Sequence, residues 1–263
     1  MRVLTWNINS VRLRLPLLEQ VVALANPDVI CLQETKVTDD LFPKAAMVAL
    51  GYPHIAIRGM KSYNGVAICS KLDFELQPNL KWFDLDDARH LFVRLENGVE
   101  IHNFYVPAGG DEPDTDINPK FAHKLGFLRE MTAWFQKNRT DQDKMILVGD
   151  LNIAPLEQDV WSHRQLLKVV SHTPIEVELL NEAMNSVDFQ DSMRKFVPED
   201  QKLYSWWSYR GRDWERSDRG RRLDHVWASQ ALQNCAENMQ VMKAVRGFER
   251  PSDHAPIWVD FNL

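Results

Sequence analysis

The sequence predicts an α/β protein with a mixed sheet or two packed sheets. Short apolar runs that read as buried strands alternate with stretches of helical periodicity, and two alternating runs around Asn97-Gly98 form the strongest hairpin signal in the chain. In addition, several predicted strands end in a carboxylate or an amide. A chain of 263 residues has room for one large domain or two small ones. No Pro/Gly/Ser-rich linker divides it, and the polar strand ends are scattered from Asn7 to His254, so a single domain over residues 1–263 is the economical reading.

The elements follow in order. Arg2–Ile8 is a strand whose end, Trp6-Asn7-Ile8-Asn9, alternates amides with apolar residues. Leu15, Leu18, Val22 and Ala25 recur at helical spacing, and Asn26-Pro27 closes that helix. Val29–Leu32 is a buried strand that delivers Gln33-Glu34. A helix is predicted from Asp40 to Leu50, stopped by Gly51, and strands at Ile55–Ile57 and Val66–Cys69 flank a Ser-Tyr-Asn-Gly turn. Leu91–Leu95 and Val99–Tyr105 form the hairpin, and its second strand delivers Tyr105. Gly109–Asp116 carries Asp111, Glu112, Asp114 and Asp116 and reads as a solvated loop. Asn118–Lys137 sets Phe121, Leu125, Leu128 and Phe135 on one helical face. Met145–Val148 is then a buried strand, ended by Gly149, at whose mouth Asp150 and Asn152 project to one side. Thr173-Pro174-Ile175-Glu176 has capping-box spacing with proline at the first helical position. Short helices and loops are expected over 185–203. Leu223–Trp227 is a strand with Asp224 near its start, and Ser252-Asp253-His254 precedes a last strand, Ile257–Phe261.

Composition narrows the function classes. Apolar residues make up 44% and charged residues 26%, ordinary globular usage. No stretch approaches the roughly 18 consecutive apolar residues of a membrane span. The first residues read as a strand rather than a signal peptide, so a cytoplasmic protein is expected. Cys31, Cys69 and Cys235 show neither disulfide nor zinc spacing. A net charge of −6 argues against coating nucleic acid by bulk electrostatics but leaves room for a local basic face. Tyr204–Arg222 is such a stretch, with three tryptophans and six arginines against three acids. Interleaved aromatics and arginines can stack on bases and pair with phosphates. The competing reading is a surface loop whose arginines are balanced by Asp213, Glu215 and Asp218.

The strand-end groups Asn7, Glu34, Tyr105, Asp150, Asn152, Asp224, Asp253 and His254 suit hydrolysis of a phosphate ester. Carboxylate and amide oxygens are hard ligands that favour magnesium or manganese, and Glu34 is the best ligand among them. A histidine held by a carboxylate, as in an Asp224–His254 pair, can stabilise charge building on phosphoryl oxygens. Asn7 and Asn152 supply hydrogen bonds without adding negative charge. There is no Gly-x-Ser-x-Gly elbow, Walker loop, His-Glu-x-x-His or Rossmann fingerprint, and a nucleophilic Ser252 beside His254 is a weak alternative.

Trp6-Asn7, Leu32-Gln33-Glu34-Thr35, Tyr105-Val106-Pro107, Gly149–Pro155, Arg222-Leu223-Asp224 and Ser252–Pro256 resemble, in order and from end to end, the motifs of the exonuclease III family of AP endonucleases, bacterial type. The resemblance implies a four-layer α/β sandwich, two central mixed β-sheets flanked by helices. It implies magnesium-dependent cleavage 5′ to abasic sites in double-stranded DNA, with 3′→5′ exonuclease and 3′-phosphatase side activities on blocked 3′ ends, by a monomer. Manganese is expected to substitute for magnesium. Carried over by position, Glu34 binds the metal with Asn7 and Asp253 close by. Asp150 positions or deprotonates the attacking water, or protonates the leaving oxygen. Asn152, His254 and Tyr105 address the scissile phosphate, and Asp224 orients His254. Trp206 matches the aromatic wall of an abasic-sugar pocket that admits a flipped deoxyribose lacking its base, and Leu223 is its apolar partner. Lys120, Arg210, Arg221 and Arg222 are candidates for DNA backbone contacts.

Two positions depart from the family pattern. Ala108 stands where relatives tend to carry an amide that touches phosphate, and Asn9 where some carry an aspartate near the metal. The acidic loop 111–116 would repel a DNA backbone and is expected to point away. The runner-up activity is hydrolysis of another phosphoester, such as an inositol phosphate or sphingomyelin. A DNA-binding member without catalysis is the reading from a different class.

Overall fold

The computed structural model describes residues 1–211 and 213–263; Arg212, within the basic aromatic stretch, lies outside the described residues. In chain order the elements are β1 (Arg2–Asn7), α1 (Leu15–Ala25), β2 (Val29–Gln33), α2 (Lys44–Ala49), β3 (His54–Arg58), β4 (Val66–Ser70), β5 (Phe74–Leu76), β6 (His90–Leu95) and β7 (Glu100–Tyr105). They continue with α3 (Pro119–Asn138), β8 (Met145–Asp150), α4 (His163–Leu166), α5 (Pro174–Asn185), β9 (Gln190–Asp191), β10 (Trp206–Trp207) and α6 (Trp214–Ser217). Last come β11 (Gly220–Arg221), β12 (Asp224–Ala228), β13 (Ala236–Val241) and β14 (Ile257–Phe261).

The strands form two mixed six-stranded sheets, ordered β13-β14-β1-β2-β4-β3 and β5-β6-β7-β8-β12-β9, with β10-β11 as a separate pair. Strand alternation explains how they pack. Val3, Val29, Cys31 and Ile68 of one sheet meet Ile101, Ile146, Val148 and Val226 of the other in the central core. The alternate residues Leu4, Trp6, Ile30 and Leu32 face outward onto α1 with Leu17, Leu18 and Val21. On the far side, Phe104, Met145 and Leu147 pack under α3 and α5 through Phe121, Leu125, Leu128, Phe135 and Leu180. The result is the four-layer sandwich expected, with helices outside two mixed sheets.

Three local expectations change. The helix expected from Asp40 begins at Lys44, because Pro43 disfavours helical geometry in the residue before it. Strands β5 and β13 escaped the periodicity reading, the first being three residues long and the second half exposed and half polar. Among the described residues, 186–203 holds turns and the two-residue β9, and no helix.

The same alternation brings functional groups together. Asn7 follows Val3 and Thr5 on the inner face of β1, Tyr105 follows Ile101 on β7, Asp150 follows Ile146 and Val148 on β8, and Asp224 precedes Val226 on β12. Parallel pairing of β1 with β2 and of β7 with β8 places their carboxyl ends at one edge, and β12, antiparallel to β8, starts there with Asp224 opposite Asp150. Gly149 makes this crowding possible: it holds φ at 140°, and a Cβ on it would overlap the carbonyl oxygen of Phe104. Gly149→Ala should lower unfolding free energy by at least about 2 kcal/mol, from strain and overpacking together. A urea midpoint equal to wild type would contradict this account of the strand mouth.

Candidate active site

Asp150 is fully buried at the end of β8, where its Oδ2 accepts from Asn7 Nδ2 at 2.8 Å, a hydrogen bond that joins the two sheets. Its Oδ1 accepts from the backbone N–H of Asn152 at 3.0 Å. Asn152 takes a left-handed φ of 55°, a conformation asparagine tolerates better than most residues. Its Nδ2 donates to the Val106 carbonyl at 2.9 Å, which leaves the second amide hydrogen for another acceptor.

Beside Asp150 lies His254. Its Nδ1 is 2.8 Å from Asp224 Oδ2 and its Nε2 is 3.6 Å from Asp150 Oδ2, so the ring bridges two carboxylates. Burial alone would hold the imidazole's pKa down, but Asp224 and Asp150 outweigh it and raise the value to about 10. Asp150 is also shifted upward, first by burial and then by the charge of Asp224, against the opposing pull of His254. The arrangement is therefore an imidazolium between two carboxylates, one of which binds protons more readily than an ordinary aspartate. Ser252, the alternative nucleophile, donates to the Asn7 carbonyl at 2.7 Å rather than to the His254 ring, whose Nδ1 is committed to Asp224.

A second cluster surrounds Glu34. Its Oε1 accepts from Asn7 Nδ2 at 3.0 Å and from the Tyr105 hydroxyl at 2.7 Å, and its Oε2 pairs with Lys36 Nζ at 2.7 Å. Burial would raise this carboxyl, yet Lys36 and the bonds from Asn7 and Tyr105 hold it below the usual range. Lys36 also donates to Asn9 Oδ1 at 2.6 Å, Asn9 Nδ2 to Asp253 Oδ1 at 3.1 Å, and Trp206 Nε1 to Asp253 Oδ2 at 2.9 Å. Glu34, Asn7 and Asp253 thus share one hydrogen-bonded chain that runs through Lys36 and Asn9, and their hard carboxylate and amide oxygens are the ligand type a magnesium-type cation takes. Asp150, Asp224 and His254 also bring ligand atoms within 4.8 Å of one another. That trio is a poorer cage, because a protonated imidazole offers no lone pair.

Trp206 pairs across β10/β11 with Arg221 and bridges to His254. The Arg221 guanidinium lies 5.4 Å from the Trp206 ring and donates to Ser171 Oγ at 2.7 Å. Trp206, Arg221, Arg210, Trp161 and Arg219 line a cavity of about 590 Å³. Leu223 is buried with Ala154, Val160 and Leu166 in the small cluster on which Trp206 packs.

Two expectations are corrected. Arg222 is no DNA contact: it is fully buried and bonded to Asp159 at 2.7 and 2.9 Å and to Asp191 at 2.5 Å. The acidic loop does not point wholly away, since Gly110 and Asp111 line the same cavity as Arg210. Lys120 is exposed in the first turn of α3. Among the residues that sequence reasoning missed, Ser205 donates to Asp224 Oδ2 at 2.6 Å and Arg89 lies 4.8 Å from the Tyr105 ring. No local pattern marks either of them; Lys36 stood two residues from Glu34 and could have been noticed.

Residues 4–254 match the endonuclease/exonuclease/phosphatase family. Exodeoxyribonuclease III of Haemophilus influenzae is 30% identical over 272 residues, covering 99% of this chain and all of the relative. An AP endonuclease from Archaeoglobus fulgidus superimposes over all of both chains with a TM-score of 0.93 at 29% identity. The 3′ phosphatase NExo from Neisseria, bound to product DNA hairpin, does so with a TM-score of 0.89 at 30% identity.

The charge balance around His254 predicts its titration. Removing the Asp224 charge removes the strongest influence that favours the imidazolium, so Asp224→Asn should lower the His254 pKa by more than about one unit. An NMR titration of the ring reads this directly, and an unmoved midpoint would refute the bridged arrangement.

Proposed function

Because the chain belongs to the endonuclease/exonuclease/phosphatase family, in its exonuclease III-type AP endonuclease branch, we propose that this DNA repair nuclease hydrolyses the phosphodiester on the 5′ side of abasic sites in duplex DNA. Exonuclease action from 3′ ends and removal of 3′ phosphates belong to the same reading, with the chain working as a cytoplasmic monomer. The observation that carries it is the buried Asp150–His254–Asp224 cluster joined, through the bridge from His254 to Trp206, to a cavity that Trp206, Trp161, Arg210 and Arg221 line. A single site thus offers proton transfer, fixed positive charge and a surface for DNA.

Glu34, with Asn7 and Asp253, would hold Mg2+, or Mn2+ in its place, and the bound ion supplies Lewis-acid neutralisation of phosphoryl charge. The chain's own groups do the rest. The His254 imidazolium, aimed by Asp224, directs its Nε2 proton at the charge that builds on the phosphoryl oxygens. Asn152 adds its free amide hydrogen. Asp150 exchanges the proton, either from the attacking water or to the leaving oxygen, and its raised pKa serves both roles near neutrality. The Tyr105 hydroxyl, whose single proton goes to Glu34 here, would turn that proton to a phosphate oxygen once substrate is bound. Trp206, packed on Leu223, forms the wall against the abasic sugar, and Arg210, Arg221 and Lys120 are the proposed backbone contacts.

The test is a duplex with one synthetic abasic site, assayed with Mg2+ and with EDTA beside an undamaged duplex and an inositol phosphate. Metal-dependent nicking at the lesion is expected; hydrolysis of inositol phosphate alone would refute the reading. Asp150→Asn and His254→Ala should each lower kcat by at least about 10²-fold while DNA binding persists, and near-normal turnover in either would mean its role is misassigned. Trp206→Ala should impair abasic cleavage more than 3′-phosphatase activity. Equal losses would argue against a sugar pocket.

A further inference from the structure

Outside the cluster that carries the chemistry, and besides Arg222–Asp159, lies another buried charge pair that the mechanism does not use. Lys124, on α3, and Glu176, in the first turn of α5, have fully buried side chains, with Nζ 2.5 Å from Oε1. Neither can reach DNA. An ammonium has three N–H donors, and Lys124 places the other two on main-chain carbonyls of site loops: Asn152 O at 2.8 Å and Ala108 O at 3.3 Å. Glu176 serves the third loop. Its carboxylate accepts from the Ser171 N–H at 2.9 Å, the Thr173 N–H at 3.1 Å and the Thr173 hydroxyl at 2.7 Å.

We propose that Lys124 and Glu176 are positioning residues, a clamp that fixes the loops after β7 and β8 and before α5 in the geometry the phosphate reaction requires. The inference rests on the functional reading above and assigns the pair no contact with substrate. Its reach is short: Asn152 is held in a left-handed conformation, and its backbone N–H in turn bonds Asp150 Oδ1 at 3.0 Å. Holding the Asn152 carbonyl therefore fixes the orientation of the proton-transferring carboxylate and of the neighbouring amide together. The Ser171 end of the clamp receives Arg221, whose Nη1 donates to Ser171 Oγ at 2.7 Å, so the cavity wall is tied to the same pair. Simple stabilisation does not explain the arrangement, since an isolated buried ion pair is replaceable by apolar residues at little cost. Here every donor of the ammonium is spent on a loop that lines the site or on the residue that holds such a loop.

The experiment separates positioning from folding by comparing Lys124→Met with the double variant Lys124→Met/Glu176→Gln in the full chain. The single variant leaves a buried carboxylate unpaired and should melt well below wild type. The double variant is neutral, and glutamine retains an acceptor for the 171–173 amides, so most of the melting temperature should return. Its kcat on abasic duplex should nevertheless stay about 10²-fold low, the scale of loss that misplacing a reacting group produces, with KM unchanged. Hydrogen–deuterium exchange over 150–155, measured without DNA, should be faster than in wild type. A double variant with wild-type kcat and wild-type exchange overturns the clamp. If wild type itself fails to cut abasic DNA, the functional reading falls, and the exchange measurement still decides for or against the clamp.

Discussion

An imidazolium without solvent, lodged between two carboxylates, can exist only if its surroundings hold all three groups to narrow tolerances. Desolvating such charges costs several kcal/mol per ion, recovered only with good geometry and satisfied lone pairs. The neighbourhood of His254 meets most of that demand, with Asp224 Oδ1 left buried without a partner among the described residues. The His254 carbonyl receives the Trp6 indole N–H at 3.0 Å, its backbone N–H is 3.2 Å from Ser252 Oγ, and its segment pairs with Trp206. Ser205 binds the Asp224 carboxylate while its own oxygen accepts the Leu223 and Asp224 N–H groups at 3.0 and 3.1 Å. Small polar residues here hold the charged ones in place.

The polar site does not end abruptly at the hydrophobic core. Beneath Asn7, Gln33 Nε2 donates to Thr5 Oγ1 at 2.9 Å and to Asn103 Oδ1 at 2.7 Å. Asn103 Nδ2 reaches back to the Leu32 and Ala67 carbonyls of the opposite sheet at 3.0 Å each. The Gln33–Asn103 bond and the two from Asn103 Nδ2 run between the sheets, as Asn7–Asp150 does nearer the site, so they fix one sheet's position against the other where nondirectional packing could not. Angstrom-scale placement of Glu34 relative to Asp150 depends on that registration.

How much of this was legible in the sequence follows from the range of each interaction. Strand mouths at Asn7, Glu34, Tyr105 and Asp150 could be read because period-two alternation is local, and the α5 cap because a capping box spans four residues. Arg222 was misread because a guanidinium advertises its charge but not its partner; Asp159 and Asp191, which bury it, lie 63 and 31 residues away. Lys124 sat among Phe121, Leu125 and Leu128, where only a tertiary partner on another helix explains a lysine. Ser205 carries no signal at all, since serine is ordinary in loops. The family motifs gathered the strand-end residues, whereas the groups that hold them in place emerged only with the fold.

One topological feature bears on how the protein folds. β14 lies between β13 and β1, pairing Val259 with Val3 and Trp258 with Leu4. β1 thus finds one of its two sheet neighbours more than 250 residues along the chain, and contacts of such sequence separation form slowly. His254 and Asp253 arrive on the segment just before β14. Docking of β14 therefore seats His254 beside Asp150 and Asp224, and the site comes together only when that long-range contact forms.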